Sequence, residues 1–166
     1  VTAHFISEKC DDGDIILQTK IPILNTDSGS DILEKFKIYY PLIIDELLIK
    51  FAENNITRIV QDESKATYFG QRTSNDGQID WNWQKERIYN WVRAQRFPYP
   101  GAFTFYEGQK ITIDSVLYDD FGFKQEFKNG LILSNNPIRV KTPNGVIQIE
   151  SYRESEVEIE EGKILN

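Results

Sequence analysis

Val1-Thr2-Ala3-His4-Phe5-Ile6-Ser7-Glu8-Lys9-Cys10-Asp11-Asp12-Gly13-Asp14-Ile15-Ile16-Leu17-Gln18 puts an Asp-x-Gly turn between two apolar runs. Val1, Ala3 and Phe5 alternate with more polar residues, and an apolar run resumes over residues 15–23. The segment therefore reads as strand, polar loop, strand, with Asp11 on the loop. An Asp two residues before a Gly is also a plain turn signal, so a turn-forming role for Asp11 competes with a chemical one.

Downstream, Asn25-Thr26-Asp27-Ser28-Gly29-Ser30 is a turn-rich break that supplies helix caps. Ile32, Leu33, Phe36, Tyr40, Ile43, Ile44, Leu47, Leu48 and Phe51 recur at three- and four-residue spacing, the stripe of a helix packed on a sheet. Pro41 falls inside that stripe and predicts one kinked helix ending near Asn54. Ile56-Thr57-Arg58-Ile59-Val60 reads as a short strand, and residues 61–77 as an aperiodic linker. A second helix is expected with Asp80 as its cap and Trp83, Ile88, Trp91 and Val92 on its apolar face, stopped by Pro98-Tyr99-Pro100-Gly101. Beyond that stop the period switches to two. Apolar alternation around residues 103–106, 110–118, 130–133, 138–140 and 145–152 is separated by Glu107-Gly108, Asn129-Gly130, Asn135-Asn136-Pro137 and Pro143-Asn144-Gly145, which predicts about five antiparallel strands.

The bulk properties restrict partners. With 166 residues and 40% apolar content the chain can bury one moderate core, and it has neither a membrane-length apolar run nor a basic-then-apolar leader. The single cysteine, Cys10, gives no disulfide framework, which favours a reducing, cytoplasmic setting; beside Asp11 and Asp12 its thiolate is disfavoured, so its reading is structural. Formal charge is -7, and from Gln78 onward 13 acidic residues face 11 basic ones. A polyanion binder needs a basic face, so a nucleic-acid grip is disfavoured. A local basic patch at Lys85, Arg87, Arg93 and Arg96 reads as a solvated helix face. Asp11, Asp12 and Asp14 lack the ligand spacing and the later Glu of a calcium loop, so no metal is assigned.

Taken in order, several strings resemble the folate-dependent formyltransferases, the family that includes the glycinamide ribonucleotide, methionyl-tRNA and sugar-nucleotide N-formyltransferases. They are the opening loop, Ile38-Tyr39-Tyr40-Pro41-Leu42-Ile43-Ile44, the run from Gln61 to Thr73 with Ala66-Thr67-Tyr68-Phe69-Gly70-Gln71-Arg72-Thr73 at its end, Asp76-Gly77-Gln78-Ile79-Asp80-Trp81, Ile88-Tyr89-Asn90-Trp91-Val92-Arg93-Ala94, and Tyr99-Pro100-Gly101-Ala102-Phe103. The resemblance implies an α/β fold: the C-terminal part of a Rossmann-like catalytic domain (residues 1–60), an interdomain linker (61–77), and an OB-like β-barrel domain with a leading helix (78–166). Family members supply an Asn and a His from a sheet that precedes the Asp loop. No counterpart stands before Val1, and the chain has no Met, so it is expected to be part of a longer enzyme and inactive alone.

What the resemblance implies chemically is formyl transfer from 10-formyltetrahydrofolate to an amine. The tetrahedral intermediate carries an oxyanion, and a proton must leave the attacking amine. Asp11 matches the family's catalytic Asp, which supports the His and the proton traffic. The loop backbone of Ser7, Glu8, Lys9, Cys10 and Asp11 matches the segment that wraps the pterin. Tyr68 and Arg72 are the residues placed toward an acceptor substrate, an ordered linker being the competing reading. His4, the sole His, lines the site or serves the strand. The expected acceptor is a nucleotide-linked amino sugar, with charged initiator tRNA the alternative acceptor, a non-catalytic ligand- or partner-binding domain the alternative of another class, and a homodimer left open.

Overall fold

Ile15 and Ile59 exchange backbone hydrogen bonds in both directions, 2.8 and 2.9 Å, and this bridge ties the chain's opening hairpin to a segment more than forty residues away. The computed structural model describes residues 1–154 and 156–166. The chain divides into two units, one of Val1–Asp27 with Asp31–Gln71, the other of Ser28–Ser30 with Arg72–Asn166.

In the first unit β1 (Thr2–His4) and β2 (Ile15–Gln18) pair antiparallel, Thr2 facing Gln18 and Ala3 facing Leu17, with the register slipping between Ala3 and His4. Strand, polar loop and strand thus form as the alternation predicts. The expected strand over residues 56–60 reduces to the single bridge at Ile59. Only Ile59 meets a partner edge, and Val60 on its C-terminal side stays exposed. Helix α1 (Gly29–Ala52) continues through Pro41, and the residues after it carry on the turn until Asn54 takes φ 53°. Ile43 is its one buried residue, whereas Ile38, Leu42, Leu48 and Ile49 are each more than half exposed. The expected stripe is covered in part, with Ile32, Leu33, Phe36 and Leu47 half-buried beside Ile43 and with Tyr40, Ile44, Leu48 and Phe51 exposed, whereas Ile38, Leu42 and Ile49 lie on the face opposite it.

The second unit is a five-stranded antiparallel sheet: β3 (Ala102–Tyr106), β4 (Gln109–Asp119), β5 (Ile132–Asn135), β6 (Ile138–Thr142) and β7 (Gly145–Tyr152), in the order β3-β4-β7-β6-β5. Glu107 and Gly108 both adopt positive φ (48° and 82°), the two-residue turn whose twist suits a tight hairpin between Tyr106 and Gln109. Ile88 and Val92 of α2 (Lys85–Gln95) join Ile111, Ile113, Val140 and Ile147 of the sheet in one core. Asp80 does not cap α2. Its carboxylate accepts from Asn82 N (2.9 Å) in a preceding turn, Gln84 takes the cap position, and Asn144 reaches over from the β6–β7 turn to accept from Lys85 N at 2.9 Å. A helix end can be capped by a side chain distant in sequence, which a local motif search does not reveal.

The expected OB-like barrel takes the form of an open sheet, for β3 and β5 do not pair with each other. Residues 162–166 lie along both edges instead: Phe105 and Asn166 exchange N–H···O bonds (2.8 and 2.9 Å), while Ile132 N donates to Lys163 O and Gly162 N to Ile132 O, both at 2.9 Å. Covering two edges with one terminal segment satisfies backbone groups that would otherwise template further pairing. Leu165, 2% exposed, anchors that segment in the core.

Candidate active site

The Asp11 loop is built by the hairpin it interrupts. Phe5 N donates to Asp14 O at 3.0 Å, closing the loop, and a β-carbon on Gly13 would stand 1.8 Å from the Phe5 carbonyl oxygen. Only glycine permits that approach. Asp11 itself takes φ 57°, a left-handed conformation that Asp tolerates better than most residues, and the turn leaves its carboxylate 85% exposed. Arg58 pairs with Asp14 (3.0 Å) and lies 4.1 Å over the Phe5 ring, fixing the base of the loop.

His4 faces this carboxylate. Its Nε2 is 3.5 Å from Asp11 Oδ1, while its Nδ1 is 2.8 Å from the carbonyl oxygen of Phe5. A carbonyl only accepts, so Nδ1 carries a hydrogen, and Nε2 of the neutral ring turns a lone pair toward Asp11. The ring can therefore take a proton on Nε2 beside the carboxylate. Ser7 Oγ donates to Lys9 O (3.1 Å) and pairs with Asp12 Oδ1, and Glu8, Lys9 and Cys10 are exposed along the outer turn. The three neighbouring acids diverge: Asp11 toward His4, Asp12 toward Ser7, Asp14 toward Arg58. Among the described residues no group of three or more metal-ligating side chains converges.

Cys10, Asp11, Asp12, Gln61, Tyr68 and Phe69 are among the residues that line an open cleft of about 540 Å³. Tyr68 OH donates to Glu63 Oε1 at 2.7 Å. That hydrogen bond, reinforced by the carboxylate's charge, pushes the phenol above its ordinary pKa, so it stays neutral and a donor. Asp62 caps the short turn over Glu63–Lys65, and bonds from Ser64 and then Lys65 hold its carboxyl below the usual range. Phe69 is 90% exposed.

Of the residues singled out in the sequence, His4, Ser7, Glu8, Lys9, Cys10, Asp11 and Tyr68 belong to the first unit. Arg72 belongs to the second, where its guanidinium lies 4.7 Å over the Trp91 ring and donates to Asp76 O at 3.3 Å. Trp81 is core, 4% exposed, and Trp83 and Trp91 meet edge to face at 5.0 Å. Two residues escaped the sequence reading. Gln61 Nε2 donates to Asp11 O (2.8 Å) and Gly13 O (2.7 Å), and Glu63 orients Tyr68. For Gln61 the only hint was its position as the first polar residue after an apolar run, since the contact spans about fifty positions.

The sequence model of the formyl transferase C-terminal domain family matches residues 72–165. Among solved structures, the chain is similar to HypX from Aquifex aeolicus in complex with tetrahydrofolic acid, at 18% identity and a TM-score of 0.62 over 92% of this chain and 27% of that one. It is similar to the N-formyltransferase from Helicobacter canadensis in complex with folinic acid and dTDP-3-aminofucose, at 17% identity and a TM-score of 0.71, covering 92% of this chain and 55% of that one. It is likewise similar to methionyl-tRNA formyltransferase from Clostridium thermocellum, at 18% identity and a TM-score of 0.55 over 90% of this chain and 56% of that one. The chain thus spans from about a quarter to just over half of the length of these proteins.

Proposed function

The chain belongs to the formyltransferase C-terminal-domain family, and from that premise we propose that residues 1–71 contribute the Asp side of a site moving a formyl group from 10-formyltetrahydrofolate to the amine of a nucleotide-linked amino sugar. One observation carries the reading: an exposed carboxylate on a left-handed turn, 3.5 Å from the chain's sole imidazole, lining a cleft that Tyr68 and Phe69 also line.

In the transfer a C–N bond forms between the formyl carbon and the attacking amine, and the bond to the folate nitrogen breaks. The amine loses one proton and the folate nitrogen gains one. Asp11 is the residue proposed to steady that proton movement, with His4 beside it as a positioning or relay group. The exposed main chain of Ser7, Glu8, Lys9 and Cys10 offers amide donors and carbonyl acceptors suited to a pterin edge, and Tyr68, held neutral, offers a donor and an aromatic face. Arg72 is proposed to act toward acceptor phosphate, in competition with its seat on Trp91.

The choice of acceptor rests on charge. A chain at -7 with no net basic excess after Gln78 suits a small phosphorylated acceptor better than a transfer RNA. Likeness in fold to the Helicobacter canadensis enzyme supports the same direction. The test is an acceptor screen with the longest reading frame that contains these residues. Formyl transfer to a nucleotide-linked amino sugar, lost in Asp11→Asn, is the expected result. Transfer to charged initiator tRNA instead would replace the acceptor, and binding without turnover on any amine would favour a non-catalytic domain.

A further inference from the structure

Lys141 on β6 is 3% exposed, and among the described residues its ammonium has no carboxylate partner. Nζ donates to Asn129 Oδ1 at 2.8 Å and lies 5.2 Å above the Phe123 ring. Asn129 Nδ2 passes the polarisation to Asn82 Oδ1 (3.0 Å), and Asn82 Nδ2 donates to Asp80 Oδ1 (2.9 Å). Two neutral amides thus separate the buried cation from the nearest acid in its hydrogen-bond chain. A buried charge is costly unless it is paired, and an amide oxygen offsets only part of that cost.

Lys141 lines an open cleft of about 650 Å³ in the second unit. Lys128 and Gln125 line it beside Asn82, Asn129 and Asn166, Phe127 supplies an apolar surface, and no Asp or Glu side chain is among the lining residues, the carboxyl group of Asn166 being the one acidic group there. Lys128, like Lys141, takes part in no ion pair among the described residues. In a chain with 26 acidic and 19 basic residues, a cleft walled by two lysines and no acidic side chain departs from the surface average. The relay to Asp80 fixes where the Lys141 ammonium sits and uses one of its three N–H groups, and the backbone beneath it is clamped by Lys141 N to Leu131 O (3.0 Å) and Gly130 N to Lys141 O (2.8 Å).

We propose that this cleft binds the phosphate group of a small anion, with Lys141 and Lys128 as its two cationic contacts and Gln125 as an amide donor. Two ammonium groups balance a dianion, where a carboxylate would leave one charge uncompensated, and phosphate carries about -1.5 to -2 at neutral pH. Lysine acts as a point donor, which suits tetrahedral oxygens. Phe127 alongside gives an organic substituent apolar contact. The site lies wholly in the second unit, so it stands apart from the Asp11 reading.

Isotope-labelled full chain, titrated with sodium phosphate against sodium chloride at matched ionic strength, tests this by the side-chain amide signals of Asn82, Asn129 and Gln125. Saturable shifts are expected with phosphate and not with chloride, and Lys141→Gln should weaken the response about tenfold or more. If Lys141→Gln loses the dispersed spectrum of the folded sheet, Lys128→Gln, on an exposed side chain, decides: weaker binding supports the site, unchanged binding overturns it. Absence of saturable shifts in the parent chain, or equal affinity in a folded Lys141→Gln variant, also overturns it. A nucleoside 5′-monophosphate run in parallel separates the sources: tighter binding than phosphate assigns an ester, equal binding assigns the free anion.

Discussion

Gln61 holds Asp11 from behind: its Nε2 donates to the Asp11 carbonyl at 2.8 Å and, two residues on, to the Gly13 carbonyl at 2.7 Å. One amide nitrogen thereby fixes both sides of the turn that presents the carboxylate. Gln61→Ala removes both bonds, and each is worth about 1 kcal/mol. Hydrogen exchange at residues 11–14 should accelerate by roughly tenfold while strands β3 to β7 are unaffected. Gln61→Glu should be worse, because it sets a carboxylate oxygen against two carbonyls. Unchanged exchange at residues 11–14 in both variants would show that the loop holds its shape without Gln61.

Asp11→Asn in the longer enzyme should lower turnover by orders of magnitude with little change in melting temperature, because the carboxylate is exposed and contributes no core contact. His4→Gln should cost less if the imidazole only positions Asp11, and its effect should vanish in the Asp11→Asn background. Kinetics of the double variant read that out directly: additive losses would mean that the two side chains act separately.

Much of this architecture was legible because it is periodic. The β3–β7 alternation, the turn pairs between strands and the helical stripe of α1 all follow from spacing alone. What escaped was decided by partners distant in sequence. The α2 cap came from Asn144, fifty-nine residues from Lys85, and a run rich in β-formers at 56–60 made one bridge because only Ile59 met an edge. Asp11 and Tyr68 were singled out through the family resemblance of their strings, yet Gln61 and Glu63, which hydrogen-bond to them, are ordinary polar residues whose contacts exist only in three dimensions.

Trp81 Nε1 donates to Thr104 Oγ1 at 2.9 Å in the core of the second unit, and Thr104 Oγ1 donates onward to Asn166 O at 3.0 Å. Thr104→Val keeps the shape and strips both bonds, leaving a buried indole N–H without a partner. A loss of about 1–3 kcal/mol is expected. Thr104→Ser, which keeps the hydroxyl, should recover most of it; equal losses in chemical denaturation would assign the effect to the missing methyl group and not to hydrogen bonding.

Asp27 accepts from Lys35 and from Leu24 N (2.6 Å), and these bonds, the lysine's first, hold its carboxyl below the ordinary aspartate value. A carboxyl whose pKa falls on folding stabilises the fold fully above its unfolded pKa and loses that contribution as pH drops through the folded one. The first unit should therefore weaken on the acid side of the ordinary carboxylate range. Asp27→Asn should flatten that branch of the curve while lowering stability near neutrality. A pH profile of α1 helicity by circular dichroism, unchanged in Asp27→Asn, would remove Asp27 from the acid response.

The two units should differ most in how well the chain protects its own backbone. In the second, Ile111, Ile113, Val140 and Ile147 are fully buried under Ile88 and Val92, and both sheet edges are covered by residues 162–166. In the first, α1 buries only Ile43 and leaves Ile38, Leu42, Leu48 and Ile49 in solvent. A 24-residue helix holds together largely through the face it buries, and apolar side chains left in solvent in this way favour association. Strong amide protection is expected across residues 111–149 and weak protection across 1–54, with self-association that rises with concentration. Sedimentation velocity with parallel hydrogen exchange checks both parts, and a dilute monomer protected uniformly in both regions would mean that α1 is stable without a covering partner.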